Sequence, residues 1–310
     1  AIKRGDAQPR QFQIQHGVFN SSLSNAATLD VFNYWPPISS RRWFSSFSST
    51  ALGGHAVILP KFDVVELMRD VEKYAINSAT LVPTMYQMIL DHPEFGDYDL
   101  SSLKMLASGA APLSIALLSR IITAFPMTEF FQTYGMTEAS PILTSLDSKY
   151  HVLEGPNSKK LGSVGRAVAH VDLIIADESD KEVPPNTVGQ ILARGKNIMT
   201  GYWHLLEQTA EALKDGWYHT GDAGYLDEEG FLFLEGRVKD MIVSGGENIY
   251  PIEVENVLED HPAIHQCAVI GITHETWGEA VHAVVTINYL SLIHIRRCRR
   301  IERCRSRSSQ

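Results

Sequence analysis

Cysteine is scarce. Cys267, Cys298 and Cys304 are the three in 310 residues, and their spacing matches no metal-ligand or redox pattern. That excludes a disulfide framework and suits a reducing cytoplasm. Long apolar runs are missing too. Nothing approaches the ~18 residues of a membrane span, and the opening "AIKRGDAQPR" carries no charged-apolar-small signal pattern. A surplus of basic residues is also absent. The net charge is -9, and the last twenty residues, "SLIHIRRCRRIERCRSRSSQ", hold seven arginines against one glutamate, which leaves the rest at -15. An acidic body of that size argues against nucleic acid as the main partner. The tail alone has the composition of a basic arm or of a short disordered end. No lysine follows Lys239, and no internal repeat is visible.

What is present is the composition of a globular chain: 44% hydrophobic and 20% charged, at a length that suggests two domains. From residue 53 the patterning alternates. Apolar runs at 53–60, 78–83, 103–110 and 128–135 read as buried strands. Between them, 63–76 has one apolar helical face capped by Asp63, "TMYQMILDHP" is helical, and 112–125 is a helix opened by Pro112. This order predicts an α/β fold with a parallel sheet covered on both faces by helices. After residue 160, "VDLIIAD" and "GQILARG" read as strands without intervening helices, and 224–237 as a hairpin around Asp-Glu-Glu-Gly. A helix at 251–260 and strands at 266–272 and 280–287 make a small α+β module. The fold class is therefore α/β: a large domain with a parallel sheet flanked by helices plus a β-rich subdomain, followed by a small α+β domain.

In a parallel sheet ligands bind at the carboxyl ends of the strands. Two loops leave consecutive strands there. "SGAAP" (108–112) offers the backbone of Gly109, Ala110 and Ala111 to a flat ring; alone, it is equally a tight loop before a helix. "QTYGMTEAS" (132–140) offers an aromatic face at Tyr134, Gly135, the hydroxyl of Thr137 and the carboxylate of Glu138. A hydroxyl can donate to a phosphate, and a carboxylate can hold Mg²⁺ when phosphate supplies further oxygens. Alone, Thr137 is equally a helix cap. A third stretch, "YHTGDAG" (218–224), sets Asp222 among glycines, free to point outward. One carboxylate can accept from both hydroxyls of a ribose. Arg237, closing the next hairpin, can reach the same ribose or its phosphate; otherwise the two are a surface ion pair. Together these loops favour a nucleotide.

At this point the residues resemble a family. "SGAAP", "YGMTE", "GSVGR", "GYW", "DGWYHTGDAGYLDEEGFLFLEGRVKDMIVSGGENIYPIEVE" and "WGEA" occur in the order seen in the adenylate-forming acyl-CoA synthetases. The likeness runs from about residue 13 to about residue 287 and is densest from 215 to 255. It implies a partial nucleotide-binding domain over 1–238, a partial lid domain over 239–287 with its hinge at Lys239, and a tail at 288–310 that is disordered or aberrant. It implies an ATP-dependent, AMP-forming ligase that joins a carboxylic acid, medium- or long-chain fatty acid by the apolar run "ATLVPTMYQMIL", to coenzyme A with Mg²⁺. By the same resemblance Gly109, Ala110, Ala111 and Tyr134 line the adenine, Gly135 belongs to the same nucleotide-binding set, Thr137 meets the α-phosphate and Glu138 the magnesium. Asp222 takes the ribose with Arg237 beside it. Lys239 is the pivot between the two half-reactions, and Gly245 and Gly246 line the path of the pantetheine thiol.

The chain departs from the family in three places. The Gly/Thr phosphate cradle ending in Pro-Lys-Gly is missing, with Pro9-Arg10 as the candidate for its Pro-Lys. "WPPISSRR" (35–42) replaces the usual run near the acyl pocket, and no lysine occurs late in the second domain. These departures imply an incomplete copy with little or no adenylation activity as it stands. Two other readings stay open: a non-catalytic adenylate-binding module, and a peptide-synthetase adenylation domain.

Overall fold

The computed structural model describes residues 30–32, 54–59, 61–111, 113–259, 261 and 263–287. The expectations placed on 1–17, 35–42, Pro112 and the arginine-rich tail lie outside them. The chain forms two compact units, Ala1–Lys239 and Asp240–Gln310.

The first unit opens with a seven-stranded sheet in the order β2-β1-β3-β4-β5-β6-β7. Its strands are β1 (Asp30–Phe32), β2 (Val57–Ile58), β3 (Ser78–Leu81), β4 (Met105–Ser108), β5 (Glu129–Tyr134), β6 (Thr144–Leu146) and β7 (Arg166–Ala167). The first five run parallel. The strands expected from the alternation are parallel, and two antiparallel strands that it did not mark, β6 and β7, extend the sheet at this edge. The reason is local: after β5 the chain turns back through a single short turn instead of a crossover helix, and a parallel neighbour needs the crossover.

Helix α1 (Val64–Tyr74) begins where Asp63 accepts the amide of Glu66 at 2.9 Å. Helix α2 (Pro83–Leu90) uses Pro83 in its first turn, where the missing N–H costs nothing. Helix α3 (Ile115–Ala124) starts later than expected. Ser114, not Pro112, sets its beginning, because the Ser114 hydroxyl accepts the otherwise unpaired amide of Leu117 at 3.3 Å. All three helices send apolar side chains into one core with β3, β4 and β5, among them Met68, Val71, Tyr86, Ile89, Leu118 and Ile121. The run at 79–90 is part of that core: Ala79, Leu81, Met85, Tyr86 and Ile89 are buried. It therefore says nothing about an open acyl channel.

A second sheet holds β8 (Val171–Ala176), β9 (Gly189–Gly195), β10 (Leu213–Lys214), β11 (Trp217–Leu226) and β12 (Leu232–Arg237), with β11 paired to β9, β10 and β12. A short helix, α4 (Leu206–Ala212), intervenes where none was expected. It buries no residue, so it left no apolar period to read. The β11–β12 hairpin is as expected. Its turn is held by Asp227, whose carboxylate accepts the amides of Glu229 and Phe231 at 2.9 Å each, and Gly230 takes φ 78°. Lys160 binds the other Asp227 oxygen at 2.5 Å and Glu229 at 2.8 Å.

The two sheets are stitched by "GSVGR". Val164 and Leu232 exchange backbone bonds through this segment, with Val164 N donating to Leu232 O at 2.9 Å and Leu232 N to Gly165 O at 2.8 Å. The Ser163 hydroxyl donates to Leu232 O as well, at 2.8 Å. Gly165, at φ 90°, lies so close to β6 that a Cβ there would stand 1.9 Å from Ser145 O. No side chain fits.

The second unit is a four-stranded antiparallel sheet in the order β14-β13-β16-β15, with β13 (Ile242–Ser244), β14 (Glu247–Ile249), β15 (Ile264–His274) and β16 (Gly278–Ile287). Helix α5 (Pro251–Glu259) packs on β15, and its Glu255 carboxylate accepts the amide of Val269 at 2.8 Å. Among the described residues no helix is long and apolar enough to cross a membrane.

Candidate functional site

The site is built on an irregularity in β11. His219 pairs with Leu192 and Ala223 with Gln190, so Thr220, Gly221 and Asp222 together stand against Ile191 alone. This is a bulge, and it needs the left-handed backbone that Gly221 supplies at φ 75°. The Thr220 hydroxyl donates to the Ile191 carbonyl at 2.8 Å, and the Thr220 hydroxyl oxygen accepts the Asp222 amide at 3.1 Å. Thus "HTGDAG" encodes a strand that pushes Asp222 away from β9 while the Thr220 hydroxyl takes up the Ile191 carbonyl.

Asp222 is not free, as its place among glycines suggested. Tyr134, the last residue of β5, donates its hydroxyl to Asp222 Oδ2 at 2.8 Å. On the other side Arg237 stands opposite in the β11–β12 register, with Nε 3.7 Å from Oδ1. The guanidinium is 62% exposed, so this pair alone contributes only ~0–1 kcal/mol and remains available to an added anion.

Tyr134 does not present an open aromatic face. Its ring is 8% exposed and packs in a second core with Ala139, Leu143 and Val164. What it offers is its hydroxyl. Burial, then the adjacent Asp222 charge, pushes that hydroxyl well above the ordinary phenol range, so it stays a donor at any working pH.

Glu138 lies four residues further on, in a single 3-10 turn, Thr137–Ala139. The turn is entered from Met136 with no side-chain cap bond, which removes the reading of Thr137 as an α-helix cap; Thr137 is exposed. The turn is clamped from the segment after β9. Met199 N donates to Glu138 O at 2.7 Å, and Asn197 Nδ2 to Ala139 O at 2.8 Å. Gly135 is required by crowding, since a Cβ would meet Pro141 O at 2.2 Å. The Glu138 carboxylate accepts the Tyr202 hydroxyl on Oε1 at 3.0 Å. Tyr218 stands near Tyr202; burial first, and then Glu138, raises the hydroxyls of both. Tyr202 and Tyr218 were not singled out from the sequence, although "GYW" and "WYHTGD" contain them.

The loop after β4 leaves from the same edge as the loop after β5, because Ser108 and Gln132 are neighbours on parallel strands. Gly109 is buried, Ala110 and Ala111 are exposed, and Ala110 takes φ 76°. The structure thus brings Gly109–Ala111, Tyr134, Gly135, Thr137, Glu138, Asp222 and Arg237 to one region of the first unit. Lys239 is exposed in a 3-10 turn, Val238–Asp240, at the boundary of the two units. Gly245 and Gly246 lie in the second unit. They form the two-residue turn between β13 and β14 with φ 63° and 89°. A hairpin turn with both central residues left-handed calls for glycine by itself, so their bareness does not require a passing thiol arm.

A family model described as "AMP-binding enzyme" matches residues 13–203, and one described as "AMP-binding enzyme C-terminal domain" matches 253–298. The chain belongs to the AMP-binding enzyme family. Feruloyl-CoA synthase of an Amycolatopsis species is 44% identical over 233 residues, covering 75% of the chain and 46% of that protein. The medium/long-chain-fatty-acid–CoA ligase FadD8 of Mycobacterium tuberculosis is 40% identical over 242 residues, covering 78% and 41%. Among solved structures, o-succinylbenzoate CoA synthetase of Bacillus subtilis in complex with its acyl-adenylate intermediate aligns at a TM-score of 0.73 and 29% identity, over 86% of the chain and 52% of that protein. The chain spans about half the length of the curated relatives it matches.

Does the site fit a divalent cation? Among the described residues no three His, Cys, Asp or Glu side chains gather into a cage. Glu138 is half-buried, and its Oε2 has no hydrogen-bond partner among them. A single carboxylate of this kind suits Mg²⁺ that takes its other ligands from phosphate and water.

Proposed function

We propose that the chain carries the adenylate site of an AMP-forming acid–thiol ligase. A substrate carboxylate oxygen attacks the α-phosphorus of ATP, the bond to the bridging oxygen breaks, and acyl-AMP and pyrophosphate result. The sulfur of coenzyme A then attacks the acyl carbonyl and AMP leaves. In this reading Asp222 accepts from both ribose hydroxyls, held in place by Tyr134, and Arg237 adds a guanidinium beside them. The backbone of Gly109, Ala110 and Ala111 takes the adenine. Thr137 donates to the α-phosphate. Glu138 would hold Mg²⁺, which when bound spreads the charge of the departing pyrophosphate. Lys239 is the proposed pivot between half-reactions, and Gly245 with Gly246 the proposed contact of the pantetheine arm.

The acid is proposed as a fatty acid of medium or long chain, in line with the FadD8 relative. The feruloyl relative makes an aryl acid its competitor in the same assay.

One observation carries the reading: the bulge in β11 that presents Asp222 between Tyr134 and Arg237. Calorimetric titration with a non-hydrolysable acyl-adenylate analogue tests it. Losing two hydrogen bonds to a carboxylate costs about 3 kcal/mol, so Asp222→Ala is expected to bind about a hundredfold more weakly than the parent protein. Equal affinity in the two, or no binding to the parent, sinks the proposal. Binding without formation of acyl-AMP from ATP and acid makes the chain an adenylate-binding module instead.

A further inference from the structure

The "GYW" stretch has no role in the chemistry above, yet it is fixed as firmly as the acidic residues. Tyr202 N donates to the Thr209 hydroxyl at 2.9 Å, and that hydroxyl in turn reaches Leu205 O at 2.7 Å. Gly201 is bare because a Cβ would lie 2.7 Å from Thr209 Cγ2. Short helix α4 therefore serves, through Thr209, to hold the Tyr202 backbone against the sheet. The Tyr202 hydroxyl ends on Glu138 Oε1 at 3.0 Å, near Tyr218, which is buried in β11 two residues before the Asp222 bulge.

A glutamate side chain is otherwise loose, since three rotatable bonds separate its oxygens from the backbone. Here one oxygen is pinned and the other is left without a partner among the described residues. We propose that Tyr202 is a positioning residue for Glu138, fixing its carboxylate so that Oε2 alone is offered to the cation that accompanies the nucleotide. The inference rests on the adenylate reading. Tyr202 touches neither substrate nor phosphate; it acts only by holding Glu138 still.

The test separates metal from nucleotide. Mn²⁺ binding is followed by electron paramagnetic resonance in the presence of α,β-methylene-ATP, and AMP binding without metal by calorimetry, for the parent protein, Tyr202→Phe, Glu138→Gln and the double variant. Tyr202→Phe is expected to weaken Mn²⁺ about tenfold and to leave AMP affinity within twofold. In the Glu138→Gln background the same substitution is expected to change nothing further, because the carboxylate it positions is gone. Unchanged Mn²⁺ affinity in Tyr202→Phe overturns the inference. So does an equal loss for AMP and Mn²⁺, or full additivity in the double variant, since either is what a purely structural tyrosine produces. A parent protein that binds no AMP overturns the adenylate reading and this inference with it. Normal AMP binding with an insensitive Mn²⁺ site overturns this inference alone.

Discussion

The two units solve the problem of stability differently. The first seals its apolar residues into two cores, with side chains such as Tyr86, Leu106, Leu143, Ile191 and Leu232 almost wholly buried. In the second unit, Ile242 and Val269 are the buried apolar residues among those described, while Val257, Ile270, Val284 and Ile287 are exposed. What holds it is a long ladder, β15 against β16 in unbroken register from Gln266–Thr286 to His274–Gly278, with α5 packed on β15. Burial of side chains is roughly proportional to area and is lost where a side chain ceases to fit, whereas a ladder tolerates local change as long as its amides stay paired. The first unit should therefore be brittle to substitution and the second forgiving.

Paired glycines probe that contrast most strongly. Gly165→Ala places a Cβ within 2.3 Å of three backbone atoms of β6 at φ 90°. The expected loss is about 3–5 kcal/mol, at the upper end for a single substitution, seen as a lower urea midpoint for the first unit. A loss under about 1 kcal/mol would mean that β6 yields and the contrast is false.

A buried imidazole sharpens the comparison next. His151 is 5% exposed, its Nδ1 lies 3.1 Å from Asp147 O, and its Nε2 has no hydrogen-bond partner. Nδ1 facing a carbonyl carries the proton. Burial pulls the ring from 6.5 down to about 4, with the Asp147 carbonyl opposing. Between those values the unfolded chain takes up a proton that the folded one refuses, so stability falls as pH drops from 6.5 toward 4, by about 3 kcal/mol in total. Urea midpoints of the first unit measured at pH 7 and pH 5 should differ less in His151→Phe than in the parent. Equal differences would show that the imidazole is not the source.

The smallest effect belongs to the second unit. Gly278→Ala sits at φ 76°, comparable to Gly165, but its Cβ would meet nothing closer than Val243 O at 3.7 Å. Only the left-handed backbone opposes it, about 1 kcal/mol. Amide exchange across β15 and β16 should rise modestly; collapse of that protection would mean that the ladder is as brittle as the cores.

Much of this was legible beforehand. Apolar periodicity and caps marked α1, α2 and the first parallel strands because each buries one face, and burial is what periodicity records. The antiparallel return at β6 was hidden, since "TSL" is too short to show direction. Helix α4 was hidden because it buries nothing. At the site, the acidic and glycine residues stood out by composition, but their partners did not. Tyr134 reads as an aromatic face, whereas its hydroxyl is what touches Asp222. The bond from Tyr202 to Glu138 spans 64 residues and leaves no trace in local pattern. Gly245 and Gly246 invited a ligand explanation that a two-residue turn already supplies.

The bulge in β11 has a further consequence for how such a site changes over time. Thr220, Gly221 and Asp222 contribute no backbone pairing to β9 beyond the single hydroxyl on Ile191. The sheet closes above and below them without their help. The binding acid thus sits in a stretch whose register β9 does not fix: the ladder on that side closes above and below it, while Gly221 and the Thr220 hydroxyl keep the bulge itself open. Change at position 222 leaves the pairing with β9 untouched so long as Thr220 and Gly221 stay and the new side chain still accepts the Tyr134 hydroxyl.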